Sequence, residues 1–301
     1  MAVQKEIWVK YIIKRFWKDN QFLKFMSNDD DYVLAGKVVH IPNPGTKPVV
    51  AKNRSAYPGT IVRRADTDIT YNLDEYTTDP THIVDADKVE LSYDKITDVF
   101  GDHAGTLIET VADDMLVKYL TTLPAGNILA TTGAAAAAKI AGQTTTRKVM
   151  VSDDLKSAKL KMDLQDVPST ERYALLEANQ MDEVVSSLTQ TQYRDFSEYM
   201  DAKEGVIGRL HGFDLMMRSK VAMLTSADVV QPIGTAVGAT DNVAGLAWQK
   251  GSLARALGER RFFENPNRAE YYGDIYSALL RAGGRRRRAD DAGVIALVNK
   301  A

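Results

Sequence analysis

The stretch from Ala35 to Val84, AGKVVHIPNPGTKPVVAKNRSAYPGTIVRRADTDITYNLDEYTTDPTHIV, constrains the fold more than any other part of the chain. Short β-type runs alternate in it with Pro and Gly clusters, and IVRRADTDITYNLDEY alternates as a strand pair does. It holds few large apolar residues for its length, so it cannot bury a core of its own, and an isolated two-stranded ribbon is marginal in water. The segment therefore reads as a long two-stranded arm that lies on something else.

A second extension precedes it. From Lys5 to Met26 the residues Trp8, Tyr11, Ile12 and Phe16 recur near helical spacing beside Lys10, Lys14, Arg15 and Lys18, which predicts an amphipathic helix. Those charges interrupt any signal-peptide core, and no apolar run in the sequence is long enough to span a bilayer, so a cytosolic origin is expected. A helix packed on the protein or on a neighbour is preferred here to one lying on a membrane surface. Two projecting elements that are unstable alone suggest a subunit completed by its neighbours.

The rest of the chain supplies a body. Ile96, Val99, Phe100, Leu107, Val111 and Met115 form one stripe of a long helix between Val89 and Leu120. His103 falls on the same stripe and reads as a hydrogen-bonded core histidine rather than a ligand or catalytic group. The Thr-, Ala- and Gly-rich stretch from Thr121 to Met150 reads as a loop. A mixed segment follows: a helix from Ser152, its N-cap, to Gln165, a strand over RYALLEA, a helix over QMDEVVSSL, a strand over FDLMMRSKVAM and a helix over NVAGLAWQKGSLARALGERR. The last section, from Ala269 to Val298, reads as two or three strands with a Gly-Gly interruption.

A search for chemistry excludes more than it finds. There is no cysteine, so disulfides, thiolate metal sites and thiol nucleophiles are absent. No phosphate-binding loop, dinucleotide fingerprint, His-Glu-x-x-His or Gly-x-Ser-x-Gly occurs. His40, His82, His103 and His211 are scattered; Asp113-Asp114 and Asp153-Asp154 point roughly 100° apart on their helices and cannot share a proton-transfer task. The cluster Asn28 to Asp31 lacks the spacing of a calcium loop and reads as a cap or turn. The sequence thus argues against an enzyme and implies no cofactor and no metal.

One feature stands apart. Arg285 to Arg288 run consecutively between Gly283-Gly284 and Asp290-Asp291 and lead directly into the apolar VIALV, in a chain whose 38 basic and 40 acidic residues otherwise balance to a net charge of -2. Affinity for nucleic acid would therefore have to come from a local patch.

The order of these elements resembles the tailed-bacteriophage major capsid proteins, whose HK97-like (Johnson) fold is shared with encapsulin shells. GFDLMMRSKV (Gly212 to Val221), AGLAWQKGSLARALGE (Ala244 to Glu259) and YYGDIYSALLRAGGRRRRADDAGVIALV (Tyr271 to Val298) resemble that family's late strand, its helix with small residues facing the core, and its closing strand, basic turn and last apolar strand. Val84 to Leu116 resembles the approach to the long spine helix and its body. The resemblance spans nearly the whole chain in order.

What it implies is an α+β HK97-like capsid fold with an N-terminal arm (1–35), an extended β-hairpin loop (36–80), a peripheral domain (81–121 with 262–288, carrying the spine helix) and an axial domain (122–261 with 289–301). The implied function is a structural major capsid protein that self-assembles into hexamers and pentamers of an icosahedral shell around a DNA genome. Its implied partners are copies of itself, packaged double-stranded DNA without sequence preference, and the portal, scaffold and decoration proteins of such shells, with no membrane. The implied location is the virion, and the host cytoplasm during assembly. The predicted arm starts almost at Met1, so a scaffold is expected to be separate or unneeded. An encapsulin-like compartment and, in a different class, a nucleic-acid-binding protein remain the competing readings.

Under the same resemblance the arginine run sits where the peripheral domain hands over to the axial one. In a strand, the four side chains would point alternately to opposite faces. Their expected partners are Asp290 and Asp291, or the acidic residues of a neighbour's extended loop, Asp66, Asp68, Asp74, Glu75 and Asp79, which suit bidentate arginine. A DNA-facing role is the alternative, and a solvated turn the third reading. Trp8 and Ile12 are the arm's candidates for contact with a neighbour.

Overall fold

The computed structural model describes residues 20–34, 37–43, 50, 52–55, 57, 61, 63, 67–84, 95–201 and 204–301. Trp8, Ile12 and the rest of the predicted helix as far as residue 19 lie outside the described residues, as does Asp66. A 3₁₀ turn (Gln21–Phe25) is followed by β1 (Ser27–Asn28), β2 (Val33–Leu34), β3 (Val38–Asn43), β4 (Thr67–Asn72), β5 (Asp74–Thr77) and β6 (Thr81–Val84). Helix α1 (Lys95–Leu120) comes next, then β7 (Ile128–Ala130), β8 (Ala135–Ala137), β9 (Thr146–Lys148), α2 (Ser152–Leu164), β10 (Arg172–Glu177), α3 (Ala178–Ser186) and α4 (Gln190–Ser197). The last part is β11 (Gly208–Leu210), β12 (Phe213–Arg218), β13 (Met223–Leu224), β14 (Val230–Gln231), β15 (Asn242–Gln249), β16 (Leu253–Arg268), β17 (Gly273–Arg286) and β18 (Val294–Val298). None of the helices among the described residues is long and apolar enough to cross a membrane.

A central sheet holds the body together. Its strands β11-β12-β10-β15 continue to β18 and β7 on one branch and to β13-β14 on the other. Every residue of β10, β15 and β18 is buried, as in a sheet covered on both faces. Period-two alternation then divides the side chains. Tyr173 and Leu175, Leu246 and Trp248, and Val294 and Ala296 join the cluster that contains α1, whereas Ala174, Leu176, Ala247, Ile295 and Leu297 join the one under α2, α3 and α4.

Helix α1 exists because Ala104, Leu107, Ile108, Val111, Met115 and Tyr119 return to one side at helical spacing and are all buried. It runs for 26 residues, about 39 Å, and stops before Thr122 (φ 55°) and Pro124. Against it packs a second sheet, β1-β16-β17, with β5 and β6 both added to the far edge of β17. Phe262, Tyr276, Ala278, Leu280 and Ala282 face the same core as α1, with Phe262 stacked on Tyr276 at 5.8 Å between centroids.

Residues 20–34, the described part of the predicted arm, are stitched to their own chain. Asn20 Nδ2 donates to Ile108 O (3.1 Å), Trp248 Nε1 to Phe25 O (2.9 Å), Arg255 Nε to Leu23 O (2.8 Å), and β1 runs parallel to Ala254 and Arg255. The acidic stretch after it is a turn, as its spacing suggested: Asn28 Oδ1 accepts from Asp30 N, and Asp30 Oδ1 accepts from Leu257 N (2.7 Å). The expected two-stranded arm contains the ladder of β3 with β4, but β2 adds a third strand along β3, and the sheet sits on Ala256 through Val39, Ile41 and Leu73. It ends at Asn72, and residues 74–84 already belong to the β17 sheet.

Several sequence expectations need correction. The helix expected over Asn242 to Arg261 is β15, a 3₁₀ turn (Lys250–Ser252) and the start of β16. All of β15 and the first five residues of β16 are buried, so the apolar residues there do not alternate, and the Ala- and Leu-rich composition imitates a helix. Gly283-Gly284 do not interrupt the closing strand but lie inside β17, paired with Ala256 and Arg255. Glycine is required at 284 because a Cβ there would stand 2.3 Å from Tyr119 Oη. Ser152 does not cap α2: its Oγ meets His211 Nε2 at 2.9 Å, and Asp154 Oδ2 closes the turn by accepting from Val151 N (2.8 Å). The stretch read as loop carries β7, β8 and β9, and α4 was not anticipated.

Candidate assembly surface and its arginine run

The arginine run lies at the end of β17, where three elements meet: the C-terminus of α1, the base of the β3–β4 hairpin and the N-terminal segment. Only Arg285 and Arg286 are in the strand, so the alternation expected for four residues holds for two. Arg285, exposed, donates from Nη1 to Thr70 O in β4 (2.8 Å). Arg286 turns the other way, to the end of α1. Its Nε donates to Asp291 Oδ1 (2.5 Å), and its Nη1 donates to Tyr119 O (3.0 Å) and Thr121 O (2.5 Å). The last carbonyls of a helix have no partner within it and carry its negative dipole end, so a guanidinium there satisfies both demands.

Arg287 holds the N-terminal segment. Its Nη1 donates to Ser27 Oγ (3.1 Å), and its Nη2 stands 3.8 Å from Asp29 Oδ1. Asp29 is buried, which raises its carboxyl above the usual range against the opposing pull of Arg287, and its other oxygen accepts from Tyr71 Oη (3.2 Å) in β4. Arg288 grips Asp290 bidentately (2.9 and 3.0 Å), and that bond holds the Asp290 carboxyl below its usual range. Four consecutive arginines thus bind four different places in their own chain.

The acidic residues expected on the projecting loop are mostly elsewhere. Asp74 and Glu75 lie in β5, where Asp74 meets Lys118 and Glu75 Oε2 accepts from Arg281 Nη2 (2.6 Å) and Nε (3.0 Å). Asp68, in β4, stands 3.7 Å from His40 Nδ1. Asp79 is exposed on the turn between β5 and β6. The structure therefore brings together Arg286 with Asp291 and Arg288 with Asp290, and it keeps Asp68, Asp74 and Glu75 apart from the arginine run. Sequence reasoning missed Asp29, Tyr71, Tyr119 and Arg281, whose partners are far away along the chain and carry no local signal.

His103 is buried as expected, but its Nε2 has no hydrogen-bond partner. Burial lowers its pKa, opposed by Asp102. It borders an open cleft of about 660 Å³ between α1 and the β5–β6 turn. His82 lies beside Tyr271, 5.7 Å between ring centroids.

No family profile matches the chain, and no curated protein matches it in sequence. Solved structures do match in shape. A chain of Mycobacterium phage Che8 superposes with a TM-score of 0.59 at 19% identity, covering 92% of this chain and 90% of that one. The capsid of Ralstonia phage GP4 gives 0.64 at 13% identity over 92% and 87%. The cyanophage Pam1 capsid gives 0.62 at 10% over 92% and 88%. This is the HK97-like capsid fold. In it α1 takes the place of the spine helix and β3–β4 the base of the extended loop, so the arginine run clamps the loop's root, the spine's end and the N-terminal segment to one another.

Proposed function

We propose that the chain is a shell-forming structural subunit, the major capsid protein of a tailed bacteriophage, assembling into the hexamers and pentamers of an icosahedral head that encloses DNA. The observation that carries this reading is the end-to-end match of fold: about nine-tenths of this chain aligns with about nine-tenths of phage capsid chains.

The proposed division is the one expected from the sequence, arm 1–35, extended loop 36–80, peripheral domain 81–121 with 262–288 and axial domain 122–261 with 289–301, except that the loop closes at Asn72 and Asp74–Thr77 join the β17 sheet. The strand β16 runs through the 261/262 junction. Arg285, Arg288 and Asp290, the more exposed charged residues of this stretch, are the proposed contacts with a neighbour, although each is also bonded within its own chain. Trp8 and Ile12 remain the arm's candidates.

Size-exclusion chromatography with light scattering on the full chain tests the reading. Rings of five or six subunits or megadalton particles are expected. A single monomeric species at every salt and protein concentration tried would refute it.

A further inference from the structure

A cavity of about 300 Å³ lies beside the short branch of the central sheet, where β13, the head of β15 and residues 232–241 meet the end of β10. Ile140, Val221, Met223, Ile233, Val237 and Val243 line it, and its two acids are Glu177, the last residue of β10, and Asp241. Apolar walls with a few placed polar groups are the usual form of a small-molecule site.

The acids carry the argument. Glu177 and Asp241 are only 7% and 5% exposed, and carboxylates are rarely buried to that degree without a counter-charge. Among the described residues, no lysine, arginine or histidine nitrogen stands within ion-pair distance of either one. Glu177 Oε2 accepts from Asn179 N (2.7 Å) and Oε1 from Asn179 Nδ2 (3.1 Å). Asp241 Oδ2 accepts from Gly238 N (2.7 Å) and Oδ1 from Gln231 Nε2 (3.3 Å). All four donors are neutral, and each carboxylate oxygen can accept a further bond. Lys220, the one cation among the lining residues, is held by Glu109 Oε1 at 2.7 Å. Arg147, buried against the backbone of Asp241, gives its bonds to carbonyls and the Thr145 hydroxyl.

The wall opposite is fixed in place. Gln143 Nε2 donates to Asp241 O (2.8 Å), Thr144 N to Ala239 O (3.1 Å), and Arg147 Nη2 to both carbonyls (3.2 and 3.0 Å). A cavity held open in this way needs little rearrangement to take a ligand. Two buried negative charges exclude an anion. A metal ion is not favoured either, because no three His, Cys, Asp or Glu side chains converge among the described residues.

We propose that this cavity binds a small aliphatic diamine, with its ammonium groups on Glu177 and Asp241 and its methylene chain among Ile140, Val221, Ile233 and Val243. The ligand supplies the positive charge that the fold leaves out, and it ties the end of β10 to the 232–241 wall. The site goes beyond the shell reading and does not depend on it.

The test is calorimetric titration of butane-1,4-diamine into the full chain at constant ionic strength. Butane-1,4-diol, which keeps the chain without the charge, and magnesium chloride, which keeps the charge without the chain, are the controls. Saturable binding of one diamine per subunit is expected, with both controls at least tenfold weaker. Glu177→Gln and Asp241→Asn remove the charge but keep an oxygen for the Asn179 and Gly238 amides, and each should weaken the diamine at least tenfold. Amide exchange on the unaltered chain gives a readout that needs no variant: saturating diamine should slow exchange over residues 231–243 and leave residues 253–268 unchanged. Equal effects of diamine and magnesium, full affinity in both variants, or exchange unchanged at 231–243 would overturn the proposal.

Discussion

Replacing Arg286 with alanine should be the most damaging single change in the arginine run. The side chain is 13% exposed and makes charge-assisted bonds to Asp291 at 2.5 Å and to the Tyr119 and Thr121 carbonyls at 3.0 and 2.5 Å. Bonds to charged groups contribute about 1.5–3 kcal/mol each, but the freed carbonyls sit at a helix end and recover water, so they return much of theirs. Asp291, 18% exposed, is left without its counter-charge, and the helix dipole loses a cation that contributes about 0.3–1 kcal/mol. The net loss is about 3 kcal/mol, which for a domain of this size lowers Tm by about 6 °C. Arg285, exposed and bound to one carbonyl, should lose only about 0.5 kcal/mol as alanine, about 1 °C. Differential scanning calorimetry on full-length variants at equal concentration and in the same assembly state reads the difference. Adding Asp291→Asn to Arg286→Ala should recover part of the loss, because the stranded carboxylate goes with it. Equal Tm values for Arg285→Ala and Arg286→Ala would refute the view that the run works as an internal clamp with Arg286 at its centre.

Gly284→Ala sets a Cβ 2.3 Å from Tyr119 Oη in a strand fixed by its ladder to Arg255, so it should cost about 2–3 kcal/mol in denaturant unfolding. Trp248→Phe removes the donor to Phe25 O and opens a gap in a fully buried site; a loss of about 2–3 kcal/mol and faster amide exchange over residues 21–28 are expected. Burial lowers the pKa of both His103 and His211 from the ordinary 6.5. The unfolded chain then binds more protons than the folded one below that value, so stability should fall as pH drops through about 6.5, and His103→Gln with His211→Gln should flatten the thermal-stability profile between about pH 5 and 7. An unchanged profile would show that neither ring is held neutral.

Legibility in the sequence followed how local each signal was. Helix α1 was readable because its apolar residues repeat every three or four positions; the β-type arm was readable from its Pro and Gly punctuation, but the strand pair read within IVRRADTDITYNLDEY is not the observed one, since TDITYN pairs with VVHIPN and DEYT with β17. The misread stretch from Asn242 to Arg261 shows the limit: strands buried on both faces lose the period-two alternation that identifies them, and only Gly251 hinted at the break. The arginine run was visible as charge, and its links to Asp290 and Asp291 were short enough to guess. Its links to Tyr119, Thr70 and Asp29 span some 165 to 260 positions and follow only from the fold. The acids of β5 were placed on the loop because nothing in LDEYTT reveals that the chain rejoins the sheet at Asp74.

The most direct measurement is electron microscopy of the leading chromatographic peak of the full chain. The account expects closed shells, or five- and six-membered rings. Compact, separate monomers, well folded and unchanged by salt or concentration, would contradict it.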